Sequence, residues 1–224
     1  ARRLLSMLPD FVVGAITDIR PAVALASQGK VLEPWELLEV AATLEAVAGA
    51  RRRISELRDE TPRLWSIAEA LSDLTELART VTRGIGPGGE ILDTASPRLM
   101  EIRRELIEQR RGLVAQLETF VASSEGQHLT SDTVVTQREG RYVVPVKAEF
   151  RRELQGIVHD VSNSGATVFI EPWTMVEQGN ALRELELEER TEIERLLEER
   201  SDALGAHREE MAHDVEVMTR LEVA

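Results

Sequence analysis

Five cations fall between positions 138 and 152: Arg138, Arg141, Lys147, Arg151 and Arg152, against only Glu139 and Glu149. Guanidinium and ammonium groups gathered in this way suit contacts to phosphate oxygens, which position a nucleic acid without reading its sequence. Ser162, Asn163 and Ser164 follow closely and offer hydroxyl and amide groups for the same purpose. Several such contacts would make binding strongly salt-dependent. A solvated rim of cations paired with neighbouring Glu accounts for the same residues, and residue types alone do not choose between the two readings.

Other stretches invite catalytic or ligand chemistry without completing it. His159-Asp160 has no convergent nucleophile near it in sequence and reads as structural. Residues 184–199 are dense in Glu and Arg, but the Glu-x-x-His pairing of bundle metal sites is absent, so no metal ligand is assigned. The run Gly84 to Gly89 resembles a phosphate-cradling loop only in its glycines. A P-loop continues with Lys and a hydroxyl residue, whereas Glu90 and Ile91 stand here. A turn or small hairpin is expected there. No residue is assigned a catalytic role.

The cations sit in the one part of the chain that reads as β-structure, 130–173. Runs at 133–138 and 141–147 flank Glu139-Gly140, a loop of hairpin length. Alternation puts Tyr142, Val144 and Val146 on one face of the second strand. Arg141, Val143, Pro145 and Lys147 share the other, which need not be buried. Pro145 lacks an N–H, so an edge strand or a bulge is expected there. Further strands are expected at 155–161 and 167–171, joined by 162–165, with a turn at 148–153 exposing Arg151 and Arg152.

Helical patterns flank this module. Thr17 or Asp18 can cap a helix entered through Pro21 and ended at Gly29. The next begins at Glu33-Pro34 and carries Leu37, Val40, Ala41, Leu44, Val47 and Ala48 at helical spacing. Pro62 marks a break, after which Leu64, Ile67, Ala68, Leu71, Leu74 and Leu77 form another apolar face. Ser96-Pro97 opens a long helix whose seam is Leu99, Ile102, Leu106, Leu113, Leu117 and Phe120, fading at 123–126. A returning helix from about Met175 offers Leu182, Leu185, Ile193, Leu196, Leu204, His207, Met211 and Met218. At 1.5 Å per residue these two helices make an arm on the order of 40–50 Å long. The expected fold is mainly α: a helical core (1–95), a lever helix (96–129), a small antiparallel β-sheet module (130–173) and a returning helix (174–224).

Composition sets outer limits. A net charge of −13 over 224 residues argues against a protein that coats nucleic acid non-specifically. The charge is uneven, with 15 acidic and 6 basic residues from Met175 onward. Aromatics are only 4%, suited to thin helical layers. There is no cysteine, no apolar run of the roughly 18 residues a membrane span requires, and no signal-peptide pattern, so a cytoplasmic address is expected. Ala1 opens within a helical pattern without an initiator Met, which reads as a fragment of something longer.

Gly140 to Glu149 (GRYVVPVKAE), Gly156 to Asp160 (GIVHD) and Ser164 to Pro172 (SGATVFIEP) resemble the MutS-II family, bacterial paralogues of the mismatch-repair MutS ATPases. The strings at 18–21 (DIRP), 92–97 (LDTASP) and 182–185 (LREL) are similar to landmarks of the same family. The resemblance implies a helical core, a lever of antiparallel helices and a clamp at its tip. In full-length relatives an ATPase domain with ATP and Mg, which mediates homodimerisation, and a small nuclease domain would follow. This sequence carries no Walker motif, so no cofactor is expected within it. The family implies binding to branched DNA that suppresses homologous recombination, or rescue of stalled ribosomes through ribosomal RNA. A scaffold or dimerisation arm alone is the third reading, and the sequence leaves all three open.

Overall fold

The computed structural model describes residues 16–223. The helical pattern expected at the start of the chain lies outside them. The chain is mainly helical with one four-stranded antiparallel sheet, and it divides into two compact units, residues 1–97 with 192–224 and residues 98–191.

In the first unit, α1 (Arg20–Ala26), α2 (Pro34–Glu56), α3 (Pro62–Ala68) and α4 (Thr75–Thr82) pack with the C-terminal part of α7 (Val176–Ala206) and with α8 (Arg208–Val223). Helix α2 starts where sequence chemistry places it. Pro34 takes the first turn, and Glu33 and Glu36 form a reciprocal capping box that satisfies two otherwise orphaned N–H groups. Its stripe of Leu37, Val40, Ala41, Leu44, Val47 and Ala48 is buried as the 3.6-residue period requires. Helix α1 departs from expectation at its start. Ile19 stands at the N-cap position and its side chain cannot cap, but the Asp18 carboxylate one residue earlier accepts both from the Arg20 backbone N–H at 3.2 Å and from the Arg20 guanidinium at 2.7 Å.

The long return is two helices rather than one, α7 and α8, parted at His207, whose N–H bonds the Leu204 carbonyl at 3.0 Å. Leu204, Met211 and Val215 nevertheless stay in one core with Leu37, Val40 and Leu44. The Gly-rich stretch is a small hairpin in which Ile85 bridges Ile91. Its Gly86 N–H bonds the Glu90 carbonyl at 2.8 Å, and its Gly88 N–H takes the Glu90 carboxylate at 2.9 Å. Those amides are spent within the turn.

In the second unit, α5 (Pro97–Ala122) presents Ile102, Leu106, Leu113, Leu117 and Val121 to Leu182 and Leu185 of α7. The seam ends on buried Val121, with Phe120 only half-buried beside it. Ion pairs Arg103–Glu189 (2.7 Å) and Arg110–Glu186 (3.8 Å) step in opposite senses along the two helices, as antiparallel packing requires. Helix α5 ends at Ala122, at the boundary expected over 123–126, and the chain turns there into α6 (Ser124–Leu129), whose Gly126 N–H bonds the Ser123 hydroxyl at 3.0 Å. Position 126 admits only glycine, since a Cβ there would lie 2.0 Å from the Phe120 carbonyl oxygen.

The sheet comprises β1 (Thr136–Arg138), β2 (Arg141–Lys147), β3 (Gly156–Val161) and β4 (Thr167–Pro172) in the order β1-β2-β4-β3. The β1–β2 turn has φ of 51° at Glu139 and 78° at Gly140, the left-handed pair that lets a two-residue hairpin follow the natural strand twist. Val144, Val146, Val168 and Ile170 face the helices and join their core. The expectation for Pro145 is corrected: β2 is an inner strand without a bulge there. Pro145 lies beyond the end of β1, where its missing N–H breaks no ladder and its carbonyl accepts from the Ser131 N–H at 2.9 Å.

Candidate nucleic-acid interface

The second face of β2 is not open to solvent. Val143 is fully buried and Pro145 is buried too, contrary to the expectation that this face need not be covered. The cover is a layer of long side chains lying flat along the sheet. Arg138 and Arg141 are cross-strand partners and so emerge side by side. The Arg138 guanidinium stacks on the Phe169 ring at 4.0 Å and reaches the Asp160 carboxylate at 3.0 Å. Arg141 turns the other way, to Glu171 at 3.4 Å and to the Asn180 side-chain oxygen at 2.9 Å. Arginine stems bury apolar surface while their heads find partners, which is how a nominal outer face becomes a second thin core.

Glu171 is the centre of this layer. It is only 2% exposed, and its two oxygens are divided between Arg141 and the His159 Nε2, the latter at 2.7 Å. The register of β3 on β4 slips between Val158 and Asp160, so His159 is the extra residue of a bulge. A bulge re-aims a side chain that regular alternation would send elsewhere. The structural reading of His159-Asp160 acquires content here, since the His braces Glu171 and the Asp holds Arg138. Sequence reasoning missed Glu171 and Asn180. A carboxylate among apolar residues at the end of a strand was the available signal.

The remaining cations divide between tethered and open. The Lys147 ammonium donates to the His128 carbonyl at 2.8 Å, within the last turn of α6, and lies 5.5 Å from the Phe150 ring. The His128 and Phe150 rings lie 4.4 Å apart, tilted by 40°. Arg151 and Arg152 follow the short 3-10 turn Ala148–Phe150, are exposed, and make no side-chain hydrogen bond or ion pair among the described residues. Glu149 and Glu153 flank them, also exposed. In the β3–β4 turn the Ser162 hydroxyl accepts from the Thr167 N–H at 3.0 Å, and the Ser164 hydroxyl lies 3.3 Å from that of Ser162. Asn163 and Ser164 are exposed while Ser162 is half-buried. Of the eight residues, three are engaged internally, two are open, and three shape a turn.

Among the described residues no cluster of His, Asp and Glu is arranged to hold a metal ion, and no helix is long and apolar enough to cross a membrane.

No protein-family model matches the chain. Curated proteins do. The chain is 42% identical over 221 residues to a protein named Endonuclease MutS2 from Pelotomaculum thermopropionicum, a match that covers 99% of this chain and 28% of that protein. It is 41% identical over 227 residues to the protein of that name from Thermomicrobium roseum, covering 100% of this chain and 28% of the relative. A Geobacillus protein of that name is 39% identical over 213 residues, 94% of this chain. The chain thus spans a little over a quarter of the length of these relatives, and over nearly its whole extent it is a homologue of one segment of proteins named Endonuclease MutS2.

Proposed function

We propose that this chain is the core, lever and clamp segment of a MutS-like, DNA-engaging protein. Residues 1–95 are the core, 96–129 and 174–224 the outgoing and returning arms of the lever, and 130–173 the clamp. The observation that carries the contact assignment is the adjacent pair Arg151 and Arg152, exposed and without internal partners among the described residues. They supply the phosphate contacts, assisted by the exposed amide and hydroxyl of Asn163 and Ser164. Arg138, Arg141, Lys147 and Ser162 hold the clamp in shape beneath them, since each is already committed to a partner. The names of the relatives support a DNA substrate in particular. On this reading the whole protein also has an ATPase domain using ATP and Mg, a nuclease domain, and a homodimeric arrangement that brings two clamps onto branched DNA to suppress recombination.

Anisotropy of a labelled four-way DNA junction at low salt tests the assignment. One clamp without its dimeric partner binds weakly, because avidity is missing. Arg151→Gln with Arg152→Gln lowers the slope of log affinity against log salt by roughly 2, about 0.9 for each phosphate that is no longer neutralised. An unchanged slope refutes the contact assignment. For the whole protein, co-sedimentation with paired ribosomes in preference to capture by the junction would replace DNA with ribosomal RNA as the target.

A further inference from the structure

Within the first unit a recess of about 330 Å³ is lined by Thr80, Arg83, Thr94, Arg195, Glu199 and Arg200, among others. That is the lower end of the size range of ligand pockets, about 300–1,000 Å³. Three guanidinium groups line one recess of an otherwise acidic chain. Arg195 is neutralised, paired with Glu192 at 2.8 Å and Glu199 at 3.0 Å. Arg200 is not. It is only 6% exposed, yet no carboxylate lies within ion-pair distance of it among the described residues. Its guanidinium donates only to carbonyls, those of Leu196 at 2.9 Å and Arg83 at 2.7 Å, and its Nε–H has no acceptor. Burial pushes its affinity for the proton down, and the neighbouring Arg195 and Arg83 charges push the same way against Glu199. Arg83, on the rim, is exposed and makes no side-chain ion pair among the described residues.

A buried guanidinium without a counter-charge is costly, and natural proteins pair such groups or use them. Two cations without carboxylates, one buried and one on the rim, together with the Thr94 hydroxyl, form a donor set with an excess of positive charge. That set matches a tetrahedral dianion, because guanidinium forks suit phosphate oxygens and the charges balance. We propose that this recess is a binding site for a phosphate dianion, either inorganic phosphate or the terminal phosphate of a mononucleotide. Arg200 and Arg83 are its principal ligands, and Glu199 is the carboxylate that limits its affinity. A phosphate in the recess would supply the counter-charge that Arg200 lacks and raise the stability of the first unit by mass action.

Titration calorimetry of the 224-residue chain at pH 7.5 with inorganic phosphate, and separately with 5′-AMP, tests the site, with thermal unfolding recorded in parallel. Phosphate raises the unfolding temperature where sodium chloride of equal ionic strength does not. Arg83→Gln, a substitution of an exposed side chain, weakens binding about tenfold, the effect of removing one charge-assisted hydrogen bond. Glu199→Gln, also exposed, tightens it about threefold by removing a like charge from the rim. A purely structural role for these residues predicts no such opposition. Tighter binding of AMP than of phosphate assigns the site to a nucleotide's phosphate, and equal or weaker binding to the free anion. Absence of any phosphate-specific effect overturns the proposal, as does binding that Glu199→Gln leaves unchanged or weakens.

Discussion

Glu171 tolerates its burial because Arg141, His159 and the ladder around it meet it on both sides, and the two ends of that arrangement should not respond alike to mutation. Arg141→Met leaves the carboxylate buried with only His159 beside it, and should destabilise the chain by about 3 kcal/mol in urea unfolding. Adding Glu171→Gln to that variant should restore part of the stability, because it removes the stranded charge; a double variant less stable than Arg141→Met would contradict the account. Asp214 presents the opposite case. It is 1% exposed, its Oδ1 accepts from the Ser72 N–H at 2.9 Å, and its Oδ2 has no partner. Burial raises its proton affinity, opposed by the Ser72 bond and by His213, while Glu210 adds to the rise. With the folded pKa above the unfolded value of 3.8, the folded state binds more protons within that window, and stability falls as pH rises through it. Asp214→Asn should therefore be more stable than the parent at neutral pH, with the difference vanishing below pH 3.8. Chemical denaturation at both pH values measures it.

At the scale of elements, the junction of α5 and α6 is set by a serine and a glycine. Ser123 ends one helix and caps the next, and Gly126 lets the new helix fold back against the carbonyl of Phe120. Gly126→Ala would place a methyl group inside the contact distance of that backbone, which cannot yield as a side chain would. An overpacking cost of about 1–3 kcal/mol is expected, read as a fall in unfolding temperature and in amide protection over residues 120–130. The sheet shows how far alternation carries. It assigned Val144 and Val146 to the helix-facing core correctly. It also implied an open second face, and there it failed, because period-two patterning says which side a residue takes and nothing about what long neighbours will lay over it. Val143 and Pro145 between Arg141 and Lys147 look like a solvated face in one dimension. In three, Arg138 and Arg141 lie down and cover it.

For the whole molecule, the two compact units have separate cores: Leu204, Val40 and Leu44 belong to one, Leu117, Val146 and Leu182 to another. Leu204→Ala and Leu117→Ala, each at a fully buried leucine, should each cost about 2–5 kcal/mol. Hydrogen exchange should show the first loosening chiefly residues 19–97 with 192–223, and the second chiefly residues 98–191. A uniform drop in protection across the chain from either substitution would show that the units unfold as one. The same scale reframes the charge. In a chain of −13 the proposed anion contacts rest on few cations, Arg151 and Arg152 and the Arg83–Arg200 recess, so binding to anions should be local and responsive to single substitutions.

The sequence by itself determined the mainly helical architecture with an inserted antiparallel sheet, most buried seam positions, the Glu139-Gly140 turn, and the relationship that similarity to the Endonuclease MutS2 proteins then supported. These follow from local rules, from the helical period, proline and capping positions, and turn dihedrals, which need no knowledge of distant residues. Only the tertiary structure decided which cations are open. Arg138, Arg141 and Lys147 are held by Asp160, Glu171 with Asn180, and the His128 carbonyl, partners 19 to 39 positions away in sequence. The recess at Arg200 likewise joins residues 80–97 to residues 195–203. Whether a charge is spent or available depends on what folding brings beside it, and no pattern along the chain records that.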